Sequence, residues 1–162
     1  MKAAIFVTIL LCSVALFAAT PVAQKPEDVA GEFYKFHFAH DMAFTPQAVQ
    51  QRSQWLTPEL MDLCKKYFAM PEDPDEAPDI EGDVFTGSQE YPDTYKVGAA
   101  AVSGSTAQVA MTFIWKDHHT TKGTVVMKKV NDKWLIDDVQ FPDEDSMRTL
   151  LTGELETPQT TK

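Results

Sequence analysis

Asn131–Val139, with the sequence NDKWLIDDV, is the stretch that decides the fold of this chain. It opens with a polar two-residue corner of the kind that closes tight hairpins. A strand follows that carries a large aromatic residue and ends in two carboxylates. Regular alternation along that strand predicts Asp138 on the face of Trp134 and Asp137 on the opposite face.

Three further strands are predicted before this one. The clearest alternation of apolar and polar side chains runs over 108–115, and weaker strand patterns cover 95–102 and 124–130. Polar turns at 103–105 and 131–132 separate them. The sequence therefore predicts an antiparallel meander of about four strands.

Helices are predicted on both sides of the meander. Pro26, Thr45-Pro46 and Thr57-Pro58 are start signals for three N-terminal helices, expected to run to about residues 43, 55 and 70. An acidic crossing at 72–83 is expected to be an exposed loop, 84–86 a short strand, and 143–151 the start of a last helix. The predicted fold class is α+β, with N-terminal helices packed on a curved antiparallel sheet and a short C-terminal helix.

The first 23 residues predict that the protein is exported to the cell envelope or beyond it. A short basic start and an uncharged apolar run are typical of a secretory signal peptide, with cleavage between 18 and 23. We then expect a single α+β domain at 24–153, a flexible tail at 154–162, and no integral membrane segment after signal removal. The predicted location is periplasmic or secreted.

The charge of the chain excludes one class of partner. The formal net charge is −10, with 24 acidic and 14 basic residues. Nucleic-acid binding depends on lysine and arginine neutralising phosphates, so no nucleic-acid role is expected. No motif for a cofactor is present, and none is predicted.

Four segments resemble a known superfamily. Residues 33–41 (FYKFHFAHD), 54–63 (QWLTPELMDL), 79–92 (DIEGDVFTGSQEYP) and 133–139 (KWLIDDV) are similar to a bacterial family of uncharacterised envelope proteins within the nuclear-transport-factor-2-like superfamily. Some members are lipoproteins, but this chain lacks a lipid-attachment cysteine in a suitable context. The resemblance implies a cone-shaped α+β fold whose ligands, where present, lie inside the cone. It transfers no catalytic residue.

A cone of this kind can hold a carboxylate or histidine that acts as a general base. The candidate pocket-lining residues are Tyr34, His37, His40, Asp41, Trp115, Trp134 and Asp138. His37 and Asp41 are four residues apart and can pair on one helix face. The same side chains can equally be hydrogen-bonded structural groups, so none is assigned as catalytic.

The metal-binding signals are weak. Asp79, Glu81 and Asp83 alternate with a glycine turn, but they lack the length and closing glutamate of a calcium loop. His118-His119 are adjacent in a turn and form a poor chelating pair. No metal is predicted, and a solvated acidic loop is the favoured interpretation.

These observations leave two hypotheses for function. The first is a non-enzymatic ligand- or protein-binding or assembly module, whose partner is a second copy paired through the sheet face, an envelope protein or a small ligand. The alternative is a small pocket enzyme of the isomerase or dehydratase type with a His or Asp base in the cone. A cone plugged by Phe33, Phe36, Trp115 and Trp134 would favour the first, and an open cavity with His40 or Asp138 pointing inward would favour the second.

Overall fold

A computed structural model of the chain describes residues 24–71, 80, 82–142 and 144–156. The predicted signal peptide and most of the acidic crossing lie outside these residues. The elements in chain order are helices α1 (Pro26–His37), α2 (Pro46–Gln51) and α3 (Pro58–Phe68), strands β1 (Thr94–Ser103), β2 (Thr106–Ile114), β3 (Thr120–Val130) and β4 (Lys133–Gln140), and helix α4 (Met147–Glu156). The predicted α+β class is confirmed. Within the described ranges, no helix has the length and apolar character that a membrane crossing requires.

The four strands form one antiparallel sheet in the order β1-β2-β3-β4, so the predicted meander is confirmed. Asn131 and Asp132 close the last hairpin with φ values of 48° and 64°. Both residues therefore occupy the left-handed region, as the favoured two-residue hairpin turn requires. Gly104, with φ of 60°, turns the first hairpin.

The N-terminal helices begin where the sequence predicts, but the first two end early. Helix α2 ends at Gln51 and is followed by a short 3-10 helix at Ser53–Trp55. The side chains of Thr45 and Thr57 accept hydrogen bonds from backbone N–H groups of α2 and α3. Helix α1 ends at His37 rather than near residue 43. Beyond it, the Asp41 carboxylate accepts a hydrogen bond from the N–H of Ala43, and such local side-chain bonds compete with helix formation.

The core lies between α1 and the inner face of the sheet. Phe33 and Tyr34 of α1 are fully buried and pack with Phe113 of β2 and with Phe85 from the loop before β1. Their ring centroids lie 5.1 Å (Phe33–Phe85) and 5.4 Å (Tyr34–Phe113) apart. Aromatic side chains therefore fill the space between helix and sheet.

Strand β4 is covered along its outer edge. Leu56 bridges to Ile136 in parallel, and the N–H of Thr57 donates to the Ile136 carbonyl at 2.8 Å. Helix α4 buries Met147 and Leu151 in the same core as α3. It runs to residue 156, so the predicted domain boundary at 153 falls inside the helix and is corrected.

Thr57 joins two elements, and its removal tests that link. Its hydroxyl accepts from the N–H of Leu60 at 3.2 Å and donates to the Asp137 carboxylate at 2.9 Å. We expect Thr57→Ala to lower the free energy of unfolding by about 2–3 kcal/mol, because it removes a helix cap and a buried bond to a charged acceptor. Urea denaturation measures the loss.

Thr45→Ala is the matched control, because the Thr45 hydroxyl accepts a single cap bond from the N–H of Ala48. We expect it to cost about 1 kcal/mol. Equal losses for the two variants would show that the bond from Thr57 to Asp137 contributes nothing.

Candidate functional site

The two carboxylates at the end of β4 are placed by a β-bulge. Met127 pairs with Ile136 and Val126 pairs with Asp138, so Asp137 is an extra residue without a partner of its own in β3. Met127 and Ile136 are fully buried on the inner face, whereas Val126 lies on the outer face. Asp138 therefore lies on the outer face of the sheet. The prediction that it shares the face of Trp134 is wrong, because the bulge breaks the alternation.

Both carboxylates are engaged in structural bonds. Asp137 receives hydrogen bonds or ion pairs from Thr57, from Lys128 Nζ at 2.9 Å and from an Arg148 guanidinium nitrogen at 3.1 Å. Asp138 accepts from the N–H groups of Val139 and Arg148, both at 2.9 Å. These contacts tie α3 and α4 to β4, and over the described residues Asp138 is not part of the surface cleft that Trp115 lines.

His37 stands at the centre of a buried polar chain. Its Nε2 lies 2.8 Å from Asp83 Oδ2, and its Nδ1 lies 2.7 Å from Arg52 Nε. The exposed fractions of the three residues are 0% for His37, 1% for Arg52 and 2% for Asp83. The predicted pairing of His37 with Asp41 is wrong, because α1 ends at His37 and the loop at 83–88 brings Asp83 to the imidazole instead.

The partners of His37 fix its tautomer. Arg52 Nε is only a donor, so Nδ1 of His37 must accept and carries no proton. The Nε2–H then donates to the Asp83 carboxylate. His37 is therefore a neutral bridge between a buried cation and a buried anion, and neither ring nitrogen is left to take a proton from a substrate.

Each of the three guanidinium nitrogens of Arg52 donates a hydrogen bond within the protein. Its two terminal nitrogens donate to the carbonyls of Ala48 and Asp41, each at 2.7 Å. Burial lowers the pKa of Arg52, and the negative charges of Asp83 and Asp41 act in the opposite direction. Arg52 therefore links α2 to the end of α1 and to the buried polar chain formed with His37 and Asp83.

The loop at 83–88 is organised by Asp83. Its Oδ2 accepts from the hydroxyl of Thr86 at 2.6 Å, its Oδ1 accepts from the N–H of Phe85 at 2.9 Å, and its backbone carbonyl accepts from the N–H of Gly87 at 2.8 Å. The predicted strand at 84–86 is wrong, because these bonds close the segment into a turn. Both oxygens of Asp83 are occupied by protein donors, and the other metal candidates, Asp79 and Glu81, lie outside the described residues.

Tyr34 holds the same loop from a second point. Its hydroxyl donates to the carbonyl of Phe85 at 2.7 Å, and its ring is fully buried. Burial, reinforced by the negative charge of Asp83, raises the pKa of Tyr34 well above its usual value. The phenol is therefore a neutral structural donor.

His40 and Asp41 point to solvent. Helix α1 ends at His37, so His40 and Asp41 do not lie on the helix that was expected to run to about residue 43. His40 Nδ1 contacts the carbonyl of Phe36 at 2.7 Å, and its ring stacks on the Phe36 ring at 3.9 Å. Both side chains are exposed and neither is part of the packed interior.

The two tryptophans predicted to line the pocket lie in different environments. Trp134 is buried in the core, whereas Trp115 is half-buried and lines a surface cleft of about 330 Å³. The cleft lies at the end of the β2–β3 hairpin. It is lined by Gly87, Ser88, Glu90, Trp115, Asp117, His119, Thr121 and Glu144.

Other reactive groups add little chemistry. Cys64 of α3 is fully buried, and burial raises the pKa of its thiol to about 12. Over the described ranges, no three His, Cys, Asp or Glu side chains converge to hold a metal ion. Arg52, Thr86 and Asp137 are central to these networks but were not among the predicted site residues, because nothing in their local sequence marks them as buried.

Comparison with known proteins identifies the fold alone. No protein-family model matches the chain, and no curated protein matches it. Two crystal structures of the type VI effector–immunity complex Tae3–Tai3 from Ralstonia pickettii each contain a chain of similar fold, one in the SeMet form and one in the native form. The SeMet match has a TM-score of 0.56 and 21% identity over 75% of this chain and 99% of the other. For the native form the TM-score is 0.55, with 21% identity over 74% and 97%.

Proposed function

We propose that this chain is a non-enzymatic protein-binding module of the cell envelope, which acts by forming a complex with another protein. The observation that carries the proposal is the state of His37. Both of its ring nitrogens are bonded to Arg52 and Asp83, and all three side chains are buried. A general base needs a lone pair that reaches its substrate, and this imidazole has none to offer.

Two other candidates, Asp138 and Tyr34, are likewise bonded within the protein. Asp138 bonds to backbone N–H groups of β4 and α4, and Tyr34 bonds to the loop at 83–88. The space between α1 and the sheet is filled by aromatic rings. Of the four residues expected to plug the interior, Phe33 and Trp134 lie in the core and Trp115 packs at its edge, whereas Phe36 is half-buried against Trp55. The filled part of the interior supports the binding-module proposal.

The structural neighbours support a protein as the partner. Both are structures of a complex between a type VI effector and an immunity protein, so each matched chain comes from a complex of different proteins. We propose that the present chain likewise forms a complex with another protein and is its inhibitory component, since His37, Tyr34 and Asp138 are bonded within the protein. The predicted envelope location and the resemblance to the nuclear-transport-factor-2-like superfamily are parts of the same proposal.

The partner test uses the full-length chain with a C-terminal tag. Affinity capture from an envelope extract, with quantitative mass spectrometry, should enrich one protein over an unrelated acidic bait. That protein, made separately, should form a complex of fixed stoichiometry with the purified chain in size-exclusion chromatography with light scattering. Failure of every enriched protein to bind when purified would contradict the proposal.

The enzyme alternative has its own test in a pair of histidine variants. Any turnover found for the purified chain should be compared in His37→Gln and His40→Gln, which alter the buried and the exposed histidine of the same region. Turnover abolished by the His37 variant in a folded protein, and retained by the His40 variant, would establish the enzyme and overturn the proposal.

The thiol of Cys64 gives a direct measure of how closed the interior is. We expect no reaction with a thiol reagent in the native protein at pH 8, because the thiol is buried and its pKa is about 12. Unfolding in guanidinium should expose it to complete reaction. Rapid labelling of the native protein would show that α3 opens to solvent or that the thiol is activated.

A further inference from the structure

The surface cleft at the end of the β2–β3 hairpin has the chemistry of a cation-binding site. Three exposed carboxylates, Glu90, Asp117 and Glu144, line it from separate segments of the chain, and no lysine or arginine is among the lining residues. The hairpin's nearby cation, Lys116, is paired with Asp93 at 3.2 Å, and its backbone N–H also bonds to that carboxylate. The cleft therefore has a negative potential within a chain of net charge −10.

The indole of Trp115 gives the cleft an aromatic surface. Its Nε1–H donates to the backbone carbonyl of Glu90 at 3.0 Å, which holds the ring and uses its polar hydrogen. The same carbonyl accepts from the hydroxyl of Ser88 at 2.8 Å, so the loop and the ring are fixed together. The His119 ring lies 5.2 Å from the indole at an angle of 52°, and Trp115 is half-buried. The part of the indole that stays exposed can attract cations through its π-face.

We propose that this cleft receives an arginine or lysine side chain of the protein partner, with arginine preferred, an inference that rests on the proposed protein-binding function. A guanidinium can stack on Trp115 while its N–H groups reach Glu90 and Glu144. A metal ion does not fit, because over the residues described no three ligand groups approach closely enough to hold one. The site therefore suits an extended organic cation better than a point charge.

The test uses a small probe and needs no partner. N-acetyl-argininamide is titrated into the ¹⁵N-labelled protein, and the Trp115 indole cross-peak, assigned by its loss in Trp115→Phe, is followed. We expect a saturable shift in the millimolar range, since a single side chain makes few contacts. N-acetyl-citrullinamide, which has the same shape without the charge, should bind at least about tenfold more weakly.

Charge variants test whether the carboxylates of the cleft bind the argininamide. Glu90→Gln combined with Glu144→Gln should weaken argininamide binding at least about tenfold. Asp62→Asn, which removes an exposed carboxylate of α3 outside the cleft, should leave it unchanged. An equal response to both probes, an unchanged affinity in the double variant, or no saturable shift at all would overturn the assignment of the cleft.

Failure of this inference and failure of the proposed function are distinguishable. The titration contains no partner, so a negative result removes the cleft and leaves the binding module standing. Failure to reconstitute a complex with any captured protein contradicts the binding module itself. Once a partner is in hand, the double variant should weaken the complex and Asp62→Asn should not, and the reverse result would place the interface elsewhere.

Discussion

Replacing Arg52 with methionine should lower the free energy of unfolding by about 3–5 kcal/mol. The substitution leaves the Asp83 carboxylate buried without its balancing cation, and it leaves His37 Nδ1 without a donor. Two backbone carbonyls, those of Ala48 and Asp41, lose their partners as well. Urea denaturation followed by circular dichroism measures the change, and a shift in midpoint at constant slope would assign it to stability.

Arg148→Met is the matched control. The Arg148 side chain is 34% exposed, and its partner Asp137 keeps Thr57 and Lys128 when the arginine is removed. We expect a loss of about 1 kcal/mol, because partly exposed ion pairs contribute little. If the two arginine variants lost the same amount, the buried polar chain would have no special role in stability.

Replacing Phe33 with alanine should cost about 3–5 kcal/mol, the other large effect that we expect. The Phe33 ring is fully buried and contacts the rings of Tyr34, His37, Trp55 and Phe85. Its removal leaves a cavity at the centre of the interior, where packing is least able to relax. Chemical denaturation gives the magnitude.

Phe36→Ala provides the comparison on the same helix. Phe36 is half-buried and contacts Trp55 and the exposed His40. We expect it to cost about 1 kcal/mol, since only part of its apolar surface is removed from water in the native protein. Losses that were similar for Phe33 and Phe36 would mean that the interior is not packed as the structure describes.

The sequence predicted the parts of the fold that depend on local signals. The Asn131-Asp132 corner, the alternation of β2 and the Thr-Pro starts of α2 and α3 each fix the backbone within a few residues. Such signals act over short stretches, so they can be recognised without knowing the tertiary contacts of the chain.

The candidate site was harder to predict, because its contacts join residues far apart in sequence. His37 and Asp83 are separated by 46 positions, and the short loop that brings them together reads as a strand. Arg52 sits beside polar neighbours at the end of α2, where a charged side chain normally faces water. Its burial follows from the three acceptors that surround it, and these are assembled only in the folded chain.

The bulge at Asp137 is the clearest case in which the alternating pattern predicted the wrong face of the sheet. A period of two assigned Asp138 to the core face, and one extra residue reversed that assignment. The buried Asp137 carboxylate is bonded by Thr57, Lys128 and Arg148, and the Asp138 carboxylate accepts from the backbone N–H of Arg148. None of these partners belongs to β4. Nothing in the eight residues of β4 itself reveals these contacts.

The proposed function depends on a neutral His37 whose two ring nitrogens are bonded within the protein and closed to solvent. These nitrogens can be observed directly. Long-range ¹⁵N–¹H NMR of the four histidines, with His37 assigned by the His37→Gln variant, reports which nitrogen carries the proton. We predict the Nε2–H tautomer for His37, with a proton that exchanges slowly with water at pH 7, while the exposed His40 exchanges fast. A proton on Nδ1, or exchange as fast as that of His40, would contradict the account and restore His37 as a candidate base.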